Sequence, residues 1–304
     1  MPATLQAFIA IFLLGALLRA SGLLGKTHAD RLAAFVFSIS LPATILVSLD
    51  QVTFAPTAWK LPLAACLVTL PMLLGSWYLS RLLHLPRPTR GGFLLGTGCI
   101  NSVYFAYPVV LATLGDRGLA QAILFDLGQT TLTLTVLYGI AVWHGATSSN
   151  ARSPMVRFVS SPPLWALFGS LLLSLFAVHL PAWLRDLLTP IHLTTTPLAS
   201  LVLGLSISFT AVRRTWAVAC AGVALRMIGG LLLGITAAFV LNLAEMERAV
   251  VVLVAAMPSA VTAVIFAADT ELDEDLVTSI VALSICVGVA LLPWLPHLTL
   301  LLFG

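Results

Sequence analysis

The chain has 304 residues, of which 60% are hydrophobic and 9% charged. Soluble globular domains carry about 25% charged residues, and a water-soluble fold could not cover this much apolar surface, so that class is excluded. The net charge of +3 is small and gives no sign of a nucleic-acid partner.

In chain order, polar interruptions leave ten apolar stretches near 3–22, 32–50, 58–82, 91–113, 118–142, 162–180, 192–212, 215–242, 247–268 and 275–301. A bilayer core of about 30 Å needs about 20 helical residues per crossing. None of the stretches alternates with period two as barrel strands do. The prediction is an all-α integral membrane protein of about ten transmembrane helices. The first stretch, "MPATLQAFIAIFLLGALLRASG", has no basic residue ahead of its apolar run and no clear small-x-small cleavage site, and is read as a retained span. The four cysteines, Cys66, Cys99, Cys220 and Cys286, stand singly in apolar runs and read as packing residues. The histidines lie at span ends or in loops with no metal-site spacing, and no cofactor is predicted.

The connections are short polar joints such as "GKTHAD", "LGDRG" and "DTELDED". The longest, "HGATSSNARSPMVRFVSSPP", divides the chain into 1–160 and 161–304, with five spans in each part. One set of alternate loops carries Arg19, Lys26, Arg31, Arg81, Arg87, Arg90, Arg152, Arg157, Arg213 and Arg214; the other carries Lys60, Arg117, Arg185 and Arg248. The basic set faces the cytoplasm, which places both termini outside. The two parts echo each other. Pro42 in the second span matches Pro197 in the seventh, and Pro108 in the fourth matches Pro258 in the ninth, at separations of 155 and 150 residues. An odd number of spans per part makes the second copy inverted. Paired interrupted spans in an inverted repeat point to a transporter's binding site at the midplane.

The interruptions have a chemical reading. Pro108 has no N–H for the carbonyl of Tyr104, and Pro258 has none for that of Val254. A freed carbonyl must be buried in protein or line a wet cavity. A broken helix also presents free N–H groups and a partial positive charge, and two such ends bind a carboxylate without a buried arginine. Asn101 adds a carboxamide in "CINSVYFAYPVV". The alternative is a pair of proline kinks without a site.

"GTGCINSVYFAYPVVLATLGDRGLAQAILFDLGQT" resembles the fourth and fifth spans of the auxin efflux carrier family, which includes bacterial malate/malonate permeases. "SPPLWALFGSLLL", "PLASLVLGLSIS" and "AAMPSAVTAVIFA…LVTSIVALS" resemble its sixth, seventh, and ninth and tenth spans. The resemblance implies a 5+5 inverted repeat, similar in fold to bile-acid/sodium symporters, with the fourth and ninth spans crossing as broken helices. It implies a scaffold of spans 1, 2, 6 and 7, often dimeric, and a moving part of spans 3–5 and 8–10. It also implies a secondary active transporter of small organic anions in the plasma (inner) membrane. The candidate substrate-binding residues are Asn101, Tyr104, Pro108, Pro258, Ser259, Thr262 and Gln129. Three departures stand out: Val103 and Ala106 replace family glycines, Thr262 stands where a second asparagine is frequent, and Gln129 replaces the asparagine after Phe-Asp-x-Gly.

Asp126, about eight residues into the fifth span, is an intramembrane carboxylate. It either binds a proton or sodium ion for coupling, together with Ser284, or holds the broken backbone by hydrogen bonds. Arg226 lies in a stretch longer than one crossing needs, which favours snorkelling to the cytoplasmic headgroups over a direct substrate contact. Asp50, at the end of the second span, reads as interfacial. An intramembrane protease is the enzyme alternative. The chain has neither His-Glu-x-x-His nor Gly-x-Ser-x-Gly, and no second intramembrane aspartate for Asp126, so a non-enzyme is expected. A channel, or a sensor built on a transporter fold, is the nearer alternative.

Overall fold

The structure is a computed structural model. It describes residues 3–50, 57–145, 156, 160–176, 178–207 and 209–294. Among the described residues every regular element is a helix, and the β pairing is one isolated bridge. The helices are α1 (Ala3–Ala20), α2 (Thr27–Asp50), α3 (Lys60–Leu82), α4 (Arg87–Gly98), α5 (Ser102–His144), α6 (Pro162–Leu175), α7 (Ala182–Ser206), α8 (Ala211–Val240), α9 (Glu245–Ala255), α10 (Thr262–Asp269) and α11 (Glu274–Leu291). Seven of them (α1, α2, α3, α5, α7, α8 and α11) are long and apolar enough to cross a membrane. The expected fourth stretch divides between α4 and the start of α5, and the expected ninth between α9 and α10. The joint expected at "LGDRG" is a corner at Gly115 within α5, with φ 67° and ψ −166°. Most of the connection around the expected boundary at 160/161, including position 150, lies outside the described residues, as do the last residues of the expected tenth stretch.

Packing follows from small residues and from paired hydroxyls. α1 lies close along α7, where Gly15 faces Gly204: a Cβ on Gly15 would stand 2.7 Å from the carbonyl oxygen of Leu201 and 3.1 Å from Gly204 Cα. α7 meets α2 along a buried polar seam next to Pro42 and Pro197. There the hydroxyls of Thr44 and Thr195 pair at 2.7 Å, those of Ser40 and Thr194 at 3.1 Å, and Thr195 also donates to the Ser40 carbonyl at 3.2 Å. α6 covers the second half of α2. A second group forms where α3 packs on α5, α8 on α11, and α9 on α8.

Among the described residues, several connections distant in the chain are tied to one another. Arg87 donates to the Trp143 carbonyl, Thr89 donates to Asp273 at 2.9 Å, and Arg214 pairs with Asp275 at 3.5 Å. Asp273 also caps α11 by accepting from the Leu276 N–H at 3.0 Å, which satisfies a donor that the helix start leaves free. Lys60 donates to the Asn242 carbonyl at 3.3 Å. Asp50, expected at the interface, ends α2 with its side chain buried in the protein: Arg185 and the Leu180 N–H both bind its carboxylate. That clamp ties the end of α2 to the start of α7.

Candidate functional site

The site is built on two interruptions that cross. α4 stops at Gly98, and the chain runs extended through Cys99 and Ile100 before α5 begins at Ser102. α9 stops at Ala255 and α10 begins at Thr262. The two gaps lie antiparallel, with Ile100 opposite Ser259. The Asn101 N–H donates to the Pro258 carbonyl at 2.9 Å, and the Ala260 N–H donates to the Cys99 carbonyl at 3.1 Å. Non-helical backbone is costly at membrane depth unless protein satisfies it, and here each gap satisfies the other. Gly288 on α11 leaves room for the crossing, since a Cβ there would stand 2.6 Å from Pro258 Cγ and 2.9 Å from Phe105 Cζ.

The expected site residues divide by what they touch. Asn101 is buried; its Nδ2 donates to the Ser259 carbonyl at 3.2 Å, while its Oδ1 has no partner among the described residues. Ser259 is buried in the gap with its hydroxyl unpartnered among the described residues, and its N–H donates to Ser284 Oγ at 3.0 Å. Thr262 opens α10, half-buried. Gln129 stands behind the crossing: it accepts from Thr69 Oγ1, and its Nε2 donates to the Gly98 carbonyl and to Thr133 Oγ1, both at 3.2 Å. The Tyr104 hydroxyl reaches away to the Ala33 carbonyl on α2 at 3.2 Å. Pro258 lies within its gap, whereas Pro108 comes later, after a wide π turn at Ser102–Ala106 whose closing bond runs from the Tyr107 N–H to the Ser102 carbonyl. The two prolines therefore take different places relative to the crossing, where Ile100 stands opposite Ser259.

Asp126 faces the start of α5. The Tyr107 hydroxyl donates to its Oδ2 at 3.1 Å and Thr130 Oγ1 donates to the same oxygen at 3.3 Å. It lines a small cavity of about 60 Å³ between α2, α5 and α6, together with Phe37, Leu41, Val103, Thr130 and Leu164.

Arg226 corrects the sequence reading. It does not snorkel; it is fully buried, and its Nη1 and Nη2 donate to the carbonyls of Thr97 and Ala255 at 3.0 and 2.6 Å. Those are carbonyls of the last turns of α4 and α9. Sequence reasoning missed this role because both partners are backbone atoms distant in the chain. Thr69 and Thr97, hidden among apolar neighbours, were missed as well; Thr97 pairs with Ser76 at 2.7 Å.

A family model described as "membrane transport protein" matches residues 3–295. The chain belongs to this family, the one that the sequence resemblance names. A protein of Methanothermobacter thermautotrophicus called "uncharacterized transporter" is 30% identical over 293 residues, 95% of either chain. An uncharacterized transporter of Methanocaldococcus jannaschii is 27% identical over 282 residues, 89% of this chain and 90% of its own. The family and its transporter relatives make this a multi-pass membrane transport protein.

Proposed function

We propose that the protein is a secondary active transporter of small organic anions, carboxylates among them, that works by alternating access at the crossing of the two gaps. The observation that carries this reading is the meeting of two interrupted helices, which brings the starts of α5 and α10 together at the crossing beside the buried carboxamide of Asn101. Helix starts carry free N–H groups and a partial positive charge, which favours an anion. In this reading the chain crosses the plasma membrane ten times as two inverted sets of five, with both termini outside. α1, α2, α6 and α7 form the scaffold and the dimer contact, and the remaining helices move against it. The cavity beside Asp126 lies at the boundary between the two groups, and the movement opens it.

Asp126 is the coupling group in this proposal, binding a proton or a sodium ion that moves with the substrate. Purified protein in proteoliposomes, offered a panel of labelled carboxylates, is expected to show saturable uptake and counterflow for at least one. Flux that neither saturates nor shows counterflow identifies a channel and sinks the proposal. Asp126→Asn keeps the side-chain shape and removes the charge. That variant is expected to retain exchange while its response to an imposed pH or sodium gradient disappears. Gradient-driven uptake at the wild-type level would rule out Asp126 as the coupling group.

A further inference from the structure

α4 and α9 end at the crossing from opposite parts of the chain, and both last turns are bound by one side chain. Arg226 Nη1 donates to the Thr97 carbonyl at 3.0 Å and Nη2 to the Ala255 carbonyl at 2.6 Å. The guanidinium is fully buried and makes no ion pair with an acid among the described residues. A helix C-terminus carries about half a negative charge, so two of them present about one. The charge of one guanidinium matches that sum, and its planar fork reaches two acceptors at once where an ammonium is a single point.

The surroundings are shaped for this contact. Arg226 lies in a π turn, Leu225–Gly229, that widens α8 locally. Gly230 follows, and a Cβ there would run into both the Ala255 carbonyl oxygen and Arg226 Nη2. We propose that Arg226 is a built-in countercation for the two broken helices, taking the place that a diffusible metal ion would otherwise fill, so that the crossing itself binds no sodium ion. It is a positioning residue: it holds α4 and α9 in register and leaves the partial positive charge of the α5 and α10 starts unopposed for an anion. The proposal concerns the C-terminal side of the crossing and is independent of what Asp126 binds.

The test uses full-length protein in detergent, with Cys66, Cys220 and Cys286 replaced by alanine so that the buried Cys99 reports on the crossing. In an Asp126→Asn background, which removes the other candidate ion site, exchanging choline for sodium is expected to leave the unfolding midpoint unchanged. A sodium-specific rise overturns the proposal. Arg226→Ala is expected to speed maleimide labelling of Cys99 about tenfold or more, with non-denaturing guanidinium restoring protection and choline failing to do so. Labelling as slow as in the parent, or fast labelling that guanidinium does not reverse, overturns it. If Arg226→Ala is not recovered folded, Arg226→Lys carries the comparison. It keeps the charge but bridges one carbonyl, and is expected to label at an intermediate rate; a rate equal to the parent's overturns the two-carbonyl bridge.

Discussion

Asn101 and Gln129 are both buried amides at the crossing, and their hydrogen bonds separate their roles. Asn101 gives one bond to Ser259, with Oδ1 unpartnered among the described residues; Gln129 engages both ends of its amide. Asn101→Ala removes one neutral hydrogen bond and is expected to cost about 1 kcal/mol in stability. Its larger effect should fall on transport, measured as uptake per folded, membrane-inserted molecule. Gln129→Leu leaves the Gly98 carbonyl and Thr69 hydroxyl without a partner at depth. It is expected to cost about 2–3 kcal/mol and to lower the unfolding midpoint well below that of Asn101→Ala. A reversal of that order would mean the two amides exchange roles. Asn101 was legible in the sequence because it interrupts an apolar run. Arg226 was misplaced because the length of its stretch allows snorkelling, and nothing local to it reveals that Thr97 and Ala255, 129 and 29 residues away, turn their carbonyls toward it.

At the scale of the helix, the prolines announced that two apolar stretches were broken but did not locate the breaks. The missing N–H of Pro108 is absorbed by the π turn before it, and the actual gap at Cys99–Ile100 is held by pairing with Pro258–Ala260. That pairing is tertiary, so the sequence could give the element and not the residue. The corner at Gly115 had a clearer signal in "LGDRG", and its conformation explains the glycine: φ 67° with ψ −166° is a region that essentially only glycine occupies. Gly115→Ala is expected to cost about 1–3 kcal/mol although no side chain would meet the added methyl. Gly139 is the control. It too has open space around its Cβ, but it sits within regular helix, where alanine is favoured by about 1 kcal/mol. Thermal unfolding of the two variants should shift in opposite directions. Equal shifts would show that space, and not backbone conformation, governs both sites.

For the whole molecule, the sequence made the membrane class and the helical architecture legible, because composition and stretch length depend on the bilayer alone. It also grouped the connections into alternate sets. Among the described residues, members of the first set meet through Thr89–Asp273 and Arg214–Asp275, and members of the second are tied down through Lys60–Asn242 and Arg185–Asp50. Which set meets the cytoplasm is a matter of charge: the first set holds ten basic residues and the second four. α2 gives a direct test. Its 24 residues span about 36 Å, so the exposed Ser21 before it and the exposed Thr57 after it stand at opposite ends of the bundle. In a cysteine-free background, Thr57→Cys is expected to react with an impermeant maleimide in intact cells, and Ser21→Cys only after the membrane is opened. The swapped pattern would reverse the orientation and exchange the inward and outward sides of the Asp126 cavity. Reaction of both in intact cells would mean that α2 does not cross the bilayer, and the alternation of basic loops would then carry no information about sidedness.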